Sequence, residues 1–145
     1  MTRIAFHFGA AQKWQYASRL LRKAVGRGSK VVVVVDSMDM AQLENALWSL
    51  SPTEFIPHCH ANAAGSACQR SPIVLADSLQ EPPHLGEVLL NLGVQVPLGF
   101  QAFERVIEVV SSDETERNQA RARWRHYAQS GLQIDRHDIQ AKEGR

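Results

Sequence analysis

Two cysteines in 145 residues, Cys59 and Cys68, are too few for a disulfide framework, so a cross-linked secreted scaffold is not indicated and a reducing compartment would keep both thiols free. Long apolar runs are missing as well, and nothing approaches the ~20 consecutive apolar residues of a membrane helix. The opening "MTRIAFHFGAA" lacks the apolar core and small-residue cleavage site of a secretory signal. A cytoplasmic location without membrane contact is therefore expected. An excess of one charge is absent too, since 16 basic and 15 acidic residues leave a formal net charge of +1. That balance argues against direct, specific nucleic-acid binding and against an acidic solvating chain, so any electrostatic function has to be local.

Signatures of catalysis are equally scarce. "GRGSK", Gly26 to Lys30, closes a helix and precedes a strand, whereas a phosphate-cradling glycine loop must follow a strand and open a helix so that the helix N-terminal amides meet the anion. It reads as a helix end and turn. "FGAAQKW" has a single glycine and neither dinucleotide-binding nor Walker A spacing. No G-x-S-x-G occurs, and Cys59 has no supporting motif. His58, Cys59, His60 and Cys68 are residue types that bind zinc, but neighbouring side chains on a strand point to opposite faces, and a strand end with a loop explains them more simply. Asp36 ends the most apolar strand, where α/β folds often hold a functional acid; a helix cap explains it equally well. No catalytic residue, metal site or cofactor is assigned. A small nucleotide-binding enzyme using Asp36 or His58 stays as one alternative, and a direct nucleic-acid-binding module working through the arginine-rich last helix as another, though the near-neutral total charge argues against the second.

What is present is a single domain's worth of core: 145 residues with 44% hydrophobic composition. "RIAFHF", Arg3 to Phe8, alternates like a strand with two different faces, and Gln12 to Val25 carries apolar residues at helical spacing before the glycines of "GRG". "KVVVVVD", Lys30 to Asp36, is a β-branched run of the kind covered on both faces, and a second helix should follow with Met40, Leu43, Leu47 and Trp48 on one side, capped by Asp36 or Ser37. "EFIPH" and "PIVLAD" read as short strands flanking the small-residue loop "CHANAAGSACQRS", and "GEVLLNLG" and "RVIEVV" as later strands around a short helix or turn in "VPLGFQAF". Asp113 caps a last helix, Glu114 to Ser130, which Gly131 closes before a polar tail, "DRHDIQAKEGR", with little to bury. Alternating strands and helices predict a Rossmann-like α/β domain over residues 1–138, a mostly parallel central sheet flanked by helices, with a polar C-terminal tail over 139–145.

The last helix holds the richest pattern. In "RNQARARWRHYAQSG", Arg117, Arg121, Arg123 and Arg125 surround Trp124 and Tyr127 without an acid. Helical spacing puts Arg117, Arg121 and Trp124 on one stripe with Arg125 beside it. The ordinary reading is a solvated basic helix packed by its aromatics. The sharper reading is anion recognition, in which arginine forks take carboxylates and an aromatic wall takes an apolar side chain of the same ligand, a combination suited to a peptide's carboxy terminus.

Three segments, "LENALWSLSPTEFIPH" (Leu43 to His58), "FERVIEVVSSDE" (Phe103 to Glu114) and "ARARWRHYAQSGLQIDRHD" (Ala120 to Asp138), resemble the chi subunit of bacterial DNA polymerase III. The resemblance follows the element order over most of the chain and is poor over 61–99. It implies a Rossmann-like fold with no enzymatic activity of its own, no cofactor, and a place in the bacterial replisome at the nucleoid. It also implies two partners: the psi subunit, which ties chi to the clamp loader, and the acidic C-terminal tail of single-stranded-DNA-binding protein. Carried over residue by residue, the tail pocket would comprise Val110, Arg117, Arg121, Trp124, Arg125 and Ile134, and the psi surface Trp48, Phe55 and Pro57. The family often has Lys where Arg117 stands and Tyr where Trp124 stands, exchanges that keep the charge and the flat apolar wall. A DNA-repair helicase is a further partner the resemblance allows.

Overall fold

The valines from Val31 to Val34 alternate between two cores: Val31, Val33 and Val35 pack on one side of a sheet, and Val32 and Val34 on the other. A strand buried on both faces needs no polar alternation, which is why this run is continuous. The computed structural model describes residues 2–50, 59–60, 73–76, 87–97 and 99–139. Their order is β1 (Arg3–Ala10), α1 (Lys13–Gly26), β2 (Val31–Val34), a 3-10 turn (Ser37–Asp39), α2 (Met40–Leu50), β3 (Cys59–His60), β4 (Ile73–Ala76) and β5 (Val88–Asn91). A second 3-10 turn (Phe100–Ala102) follows, then β6 (Arg105–Ser111), α3 (Glu114–Gln129) and β7 (Ile134–Asp138).

The strands form one seven-stranded sheet in the order β3-β4-β2-β5-β6-β1-β7, with every pairing parallel. The chain leaves β1 through α1 toward β2 and leaves β6 through α3 toward β7, moving in opposite directions across the sheet. Crossovers of one hand must then lie on opposite faces. Ala17 and Leu21 of α1, with Leu43 and Leu47 of α2, cover one face; Ala120 and Tyr127 of α3, with Phe100 and Phe103, cover the other. The predicted α/β architecture is the observed one, and among the described residues no helix is long and apolar enough to cross a membrane.

Local signals account for the ends of the helices. Gly28, at φ +80, lets the chain leave α1 as the "GRG" motif requires, and Gly131, at φ +77, does so after α3. The Asp113 carboxylate accepts from the Glu116 amide at 3.0 Å and caps α3. Asp36 occupies the cap position of the Ser37–Asp39 turn but makes no side-chain capping hydrogen bond. Its carboxylate instead borders Gly93, where an added Cβ would meet Asp36 Oδ1 at 3.3 Å and Asn91 Oδ1 at 3.4 Å.

Two expectations are corrected. Cys59 and His60, assigned to a loop, form β3 beside β4, while "EFIPH" (54–58) and residues 61–72 lie outside the described residues. The polar segment after Gly131 also has structure: Ile134 to Asp138 pair in register with Ile4 to Phe8 as edge strand β7, and Ile139 is buried. A charged edge strand carries little apolar alternation because only part of it faces a core, and charge protects its free edge.

Candidate functional site

Strand β6 sets up the site through one residue that does not match its surroundings. Glu108 stands in the apolar run of β6 and is fully buried, and a buried carboxylate needs donors around it. Arg123 Nε donates to Glu108 Oε1 at 3.0 Å, while Tyr127 Oη at 2.6 Å and Asn91 Nδ2 at 2.9 Å donate to Oε2. Arg123 Nη1 also reaches the Val94 carbonyl at 2.8 Å, and Asn91 Nδ2 the Gln95 carbonyl at 3.1 Å. Burial raises the Glu108 pKa above its ordinary value, with Arg123, Tyr127 and Asn91 opposing the shift. The Tyr127 phenol is likewise pushed up, by burial first and then by Glu108. This network fixes how α3 is rotated against the sheet, because Arg123 and Tyr127 lie on one helical face.

With those residues turned inward, Arg117 and Arg121 stand exposed and Trp124 half-buried along the adjacent stripe at i, i+4 and i+7, with buried Ala120 at their inner edge. They form one wall of a groove of about 420 Å³, with Phe6 and Phe8 of β1, Val110 of β6 and Arg136 of β7 completing it. The size suits a small ligand or a peptide end. Trp124 packs on Phe6 with ring centroids 5.0 Å apart. Arg121 Nη1 donates to Asn118 Oδ1 at 3.0 Å, which orients the fork without cancelling its charge. Three guanidiniums and an aromatic floor meet here, with no carboxylate among the described lining residues.

Of the residues expected to form a peptide-end pocket, Val110, Arg117, Arg121 and Trp124 come together in this groove. Arg125 lies to the side, its Nε donating to the Arg121 carbonyl at 3.4 Å, and Ile134 packs against the core behind it. Phe6, Phe8 and Arg136 were not anticipated. The even positions of β1 could have revealed the two rings, since Ile4, Phe6 and Phe8 share one face of that strand; Arg136 gave no sign within a segment read as tail. Arg123 was grouped with the surface arginines, and the structure buries it. The signal for that was Glu108, an acid inside an apolar strand that required a partner. Phe55 and Pro57 lie outside the described residues, and Trp48 is described only as a backbone position of α2.

The competing location for a ligand is the crevice at the carboxyl ends of β1 and β6, where the chain departs to opposite faces. Lys13, opening α1, and Glu116, in the first turn of α3, form an ion pair there at 2.7 Å. Lys13 Nζ also donates to the Leu92 carbonyl at 3.2 Å, and Glu116 accepts from both the amide and the hydroxyl of Ser111 at 3.1 Å. These side chains are engaged with one another across the crevice, an arrangement unlike a cradle of free donors for phosphate. Among the described residues no three metal-ligating side chains converge; His58 and Cys68 lie outside them.

The family model for "DNA polymerase III chi subunit, HolC" matches residues 1–135. A protein of Pseudomonas aeruginosa named DNA polymerase III subunit chi is 32% identical over 145 residues, covering 96% of this chain and 98% of that one. Its namesake in Haemophilus influenzae is 27% identical over 114 residues, 77% of each chain. The Escherichia coli protein of that name is 23% identical over 127 residues, 87% of this chain and 78% of the relative.

Proposed function

The chain belongs to the DNA polymerase III chi subunit family, and from that premise, which makes it an accessory component of DNA replication, we propose that it is a non-catalytic connector. It joins the clamp loader, through the psi subunit, to the acidic C-terminal tail of single-stranded-DNA-binding protein. The observation that carries this reading is the groove in which Arg117, Arg121 and Arg136 surround an apolar floor of Phe6, Phe8, Val110 and Trp124. A tail ending in Asp, Pro and Phe with a free carboxylate matches it in chemistry. The Phe ring enters against Val110 and Trp124, Arg121 takes the terminal carboxylate, and Arg117 meets the acids that precede it, with Arg125 alongside. Ile134 supports the floor from behind. Psi is assigned to Trp48, Phe55 and Pro57, the residues that the resemblance carries over.

Charge-assisted hydrogen bonds are worth roughly 1.5 to 3 kcal/mol when shielded and well under that at an exposed rim, so the buried ring and the carboxylate pair carry most of the affinity. Added salt weakens the rest. The test is fluorescence anisotropy of a labelled tail peptide titrated with wild type and with Arg121→Ala at low and moderate salt. Saturable binding that weakens with salt and is lost in the variant is expected. An absence of wild-type binding at low salt would overturn the reading.

A further inference from the structure

Arg136 stands apart from the other groove cations. Arg117 and Arg121 come from α3; Arg136 comes from edge strand β7, on the far side of β1, in register with Phe6. It therefore approaches the groove from the wall opposite the helix. Its guanidinium carbon lies 5.3 Å from the Phe8 ring centroid and 5.9 Å from that of Trp124, so two rings of the floor hold it by cation–π attraction. A guanidinium held by its face against a ring keeps its in-plane N–H groups for a carboxylate.

Two arginines outside the groove are already committed. Arg123 is paired with Glu108 and Arg3 with Asp135, whereas Arg136 makes no ion pair among the described residues. A cation placed by two aromatic rings, exposed and without an acid, is prepared for an anion that comes from outside.

Resting on the tail-binding reading of this groove, we infer that Arg136 is a recognition residue for the acidic side chains that precede the ligand's terminal carboxylate. The ligand lies between α3 and β7, its end held by Arg121 on the helix and its upstream acids gripped from the strand by Arg136. The groove is then selective for a peptide that is acidic before its end, not for any carboxy terminus with an apolar last residue. Arg117 supplies the matching charge on the helix side, so the upstream acids sit between two positive walls.

The experiment uses two labelled peptides with the same free carboxy terminus, one carrying the tail's acidic side chains and one with those side chains replaced by amides. Each is titrated with wild type, Arg136→Ala, Arg136→Lys and Arg121→Ala, and the unfolding midpoint of every variant is recorded. Arg136→Ala is expected to weaken the acidic peptide about three- to fivefold, the upper part of the range of an exposed ion pair, and to leave the amide peptide unchanged. Arg136→Lys should retain most of the preference for acid, and Arg121→Ala should weaken both peptides. Equal loss on both peptides, or no loss on either, with wild-type binding intact, would overturn the role of Arg136 alone. No wild-type binding to the acidic peptide would remove the tail-binding reading itself and this inference with it.

Discussion

Across α3, Arg123 turns inward to Glu108 at 3.0 Å and is only 4% exposed, whereas Arg121, two residues earlier, stands on the outer face beside the neutral amide of Asn118. Two residues turn a helix by roughly 200°, enough to move the same side chain from core to solvent. The inner arginine meets a carboxylate supplied by the fold. The outer one meets none among the described residues. Which cations of this helix stay uncancelled among the described residues is decided by the inner network, which fixes the rotation of α3.

The largest expected effect comes from breaking the inner side. Glu108→Ala strands the Arg123 charge in the core, and Arg123→Met strands Glu108; each should cost about 3–5 kcal/mol in urea unfolding, the range for one member of a buried pair left alone. Replacing both by apolar residues should recover only part of that loss. The Tyr127 hydroxyl, the Asn91 amide and the Val94 carbonyl would then lack partners they now have. A double variant as stable as wild type would mean that the network does not hold the helix.

Next in size is Tyr127→Phe, which removes a buried hydrogen bond to a carboxylate and should cost about 1.5–3 kcal/mol. The same contact predicts a pH dependence. Because burial raises the Glu108 pKa in the folded chain, its contribution to stability is fully present below the unfolded value near 4.5 and declines as pH rises through the folded one. The raised Tyr127 pKa adds a second decline above the ordinary phenol value of 10.0, since there the unfolded chain ionises while the folded one resists. Unfolding curves from pH 4 to 11, as an order-of-magnitude window, should show both declines, and Tyr127→Phe should lose the alkaline one. A profile flat above the phenol value would show that Tyr127 titrates freely.

A smaller effect belongs to the crevice that the fold closes with its own charges. Glu116→Ala removes the ion pair to Lys13 and the two bonds to Ser111, and about 1–2 kcal/mol is expected, a cap-sized loss. If calorimetry with nucleotides shows no heat for wild type and a clear heat for Glu116→Ala, the crevice is a ligand site masked by this pair. Silence in both would support its reading as a structural staple.

Most of the fold could be read in the sequence because its signals are local. The valine run, the glycines after α1 and α3, and the Asp113 cap each act within a few residues, and the structure has each where its pattern points. β7 and Arg136 could not be read the same way. The meaning of "IDRHD" depends on β1, more than a hundred residues earlier, which supplies both the hydrogen-bonding partner and the rings beneath the guanidinium. The inward turn of Arg123 lay between these cases. Helical spacing divides the arginines into two faces, but only the pairing of β6 with its neighbours shows that Glu108 faces α3.

The smallest expected change in stability is the one that sharpens the comparison most. Arg121→Ala removes an exposed guanidinium whose neighbour is a neutral amide, and surface changes of that kind fall within about ±0.5 kcal/mol. Its unfolding midpoint should match wild type, although Arg123→Met, two residues along the same helix, falls far below. If the outer arginine is a recognition group, the same variant loses the tail peptide while the fold is untouched. Stability and binding thus separate on one turn of helix, a result that general unfolding or a loss of overall positive charge could not produce. An Arg121→Ala chain that unfolds as readily as Arg123→Met would mean that both arginines serve the fold, and the distinction between the two faces of α3 would fail.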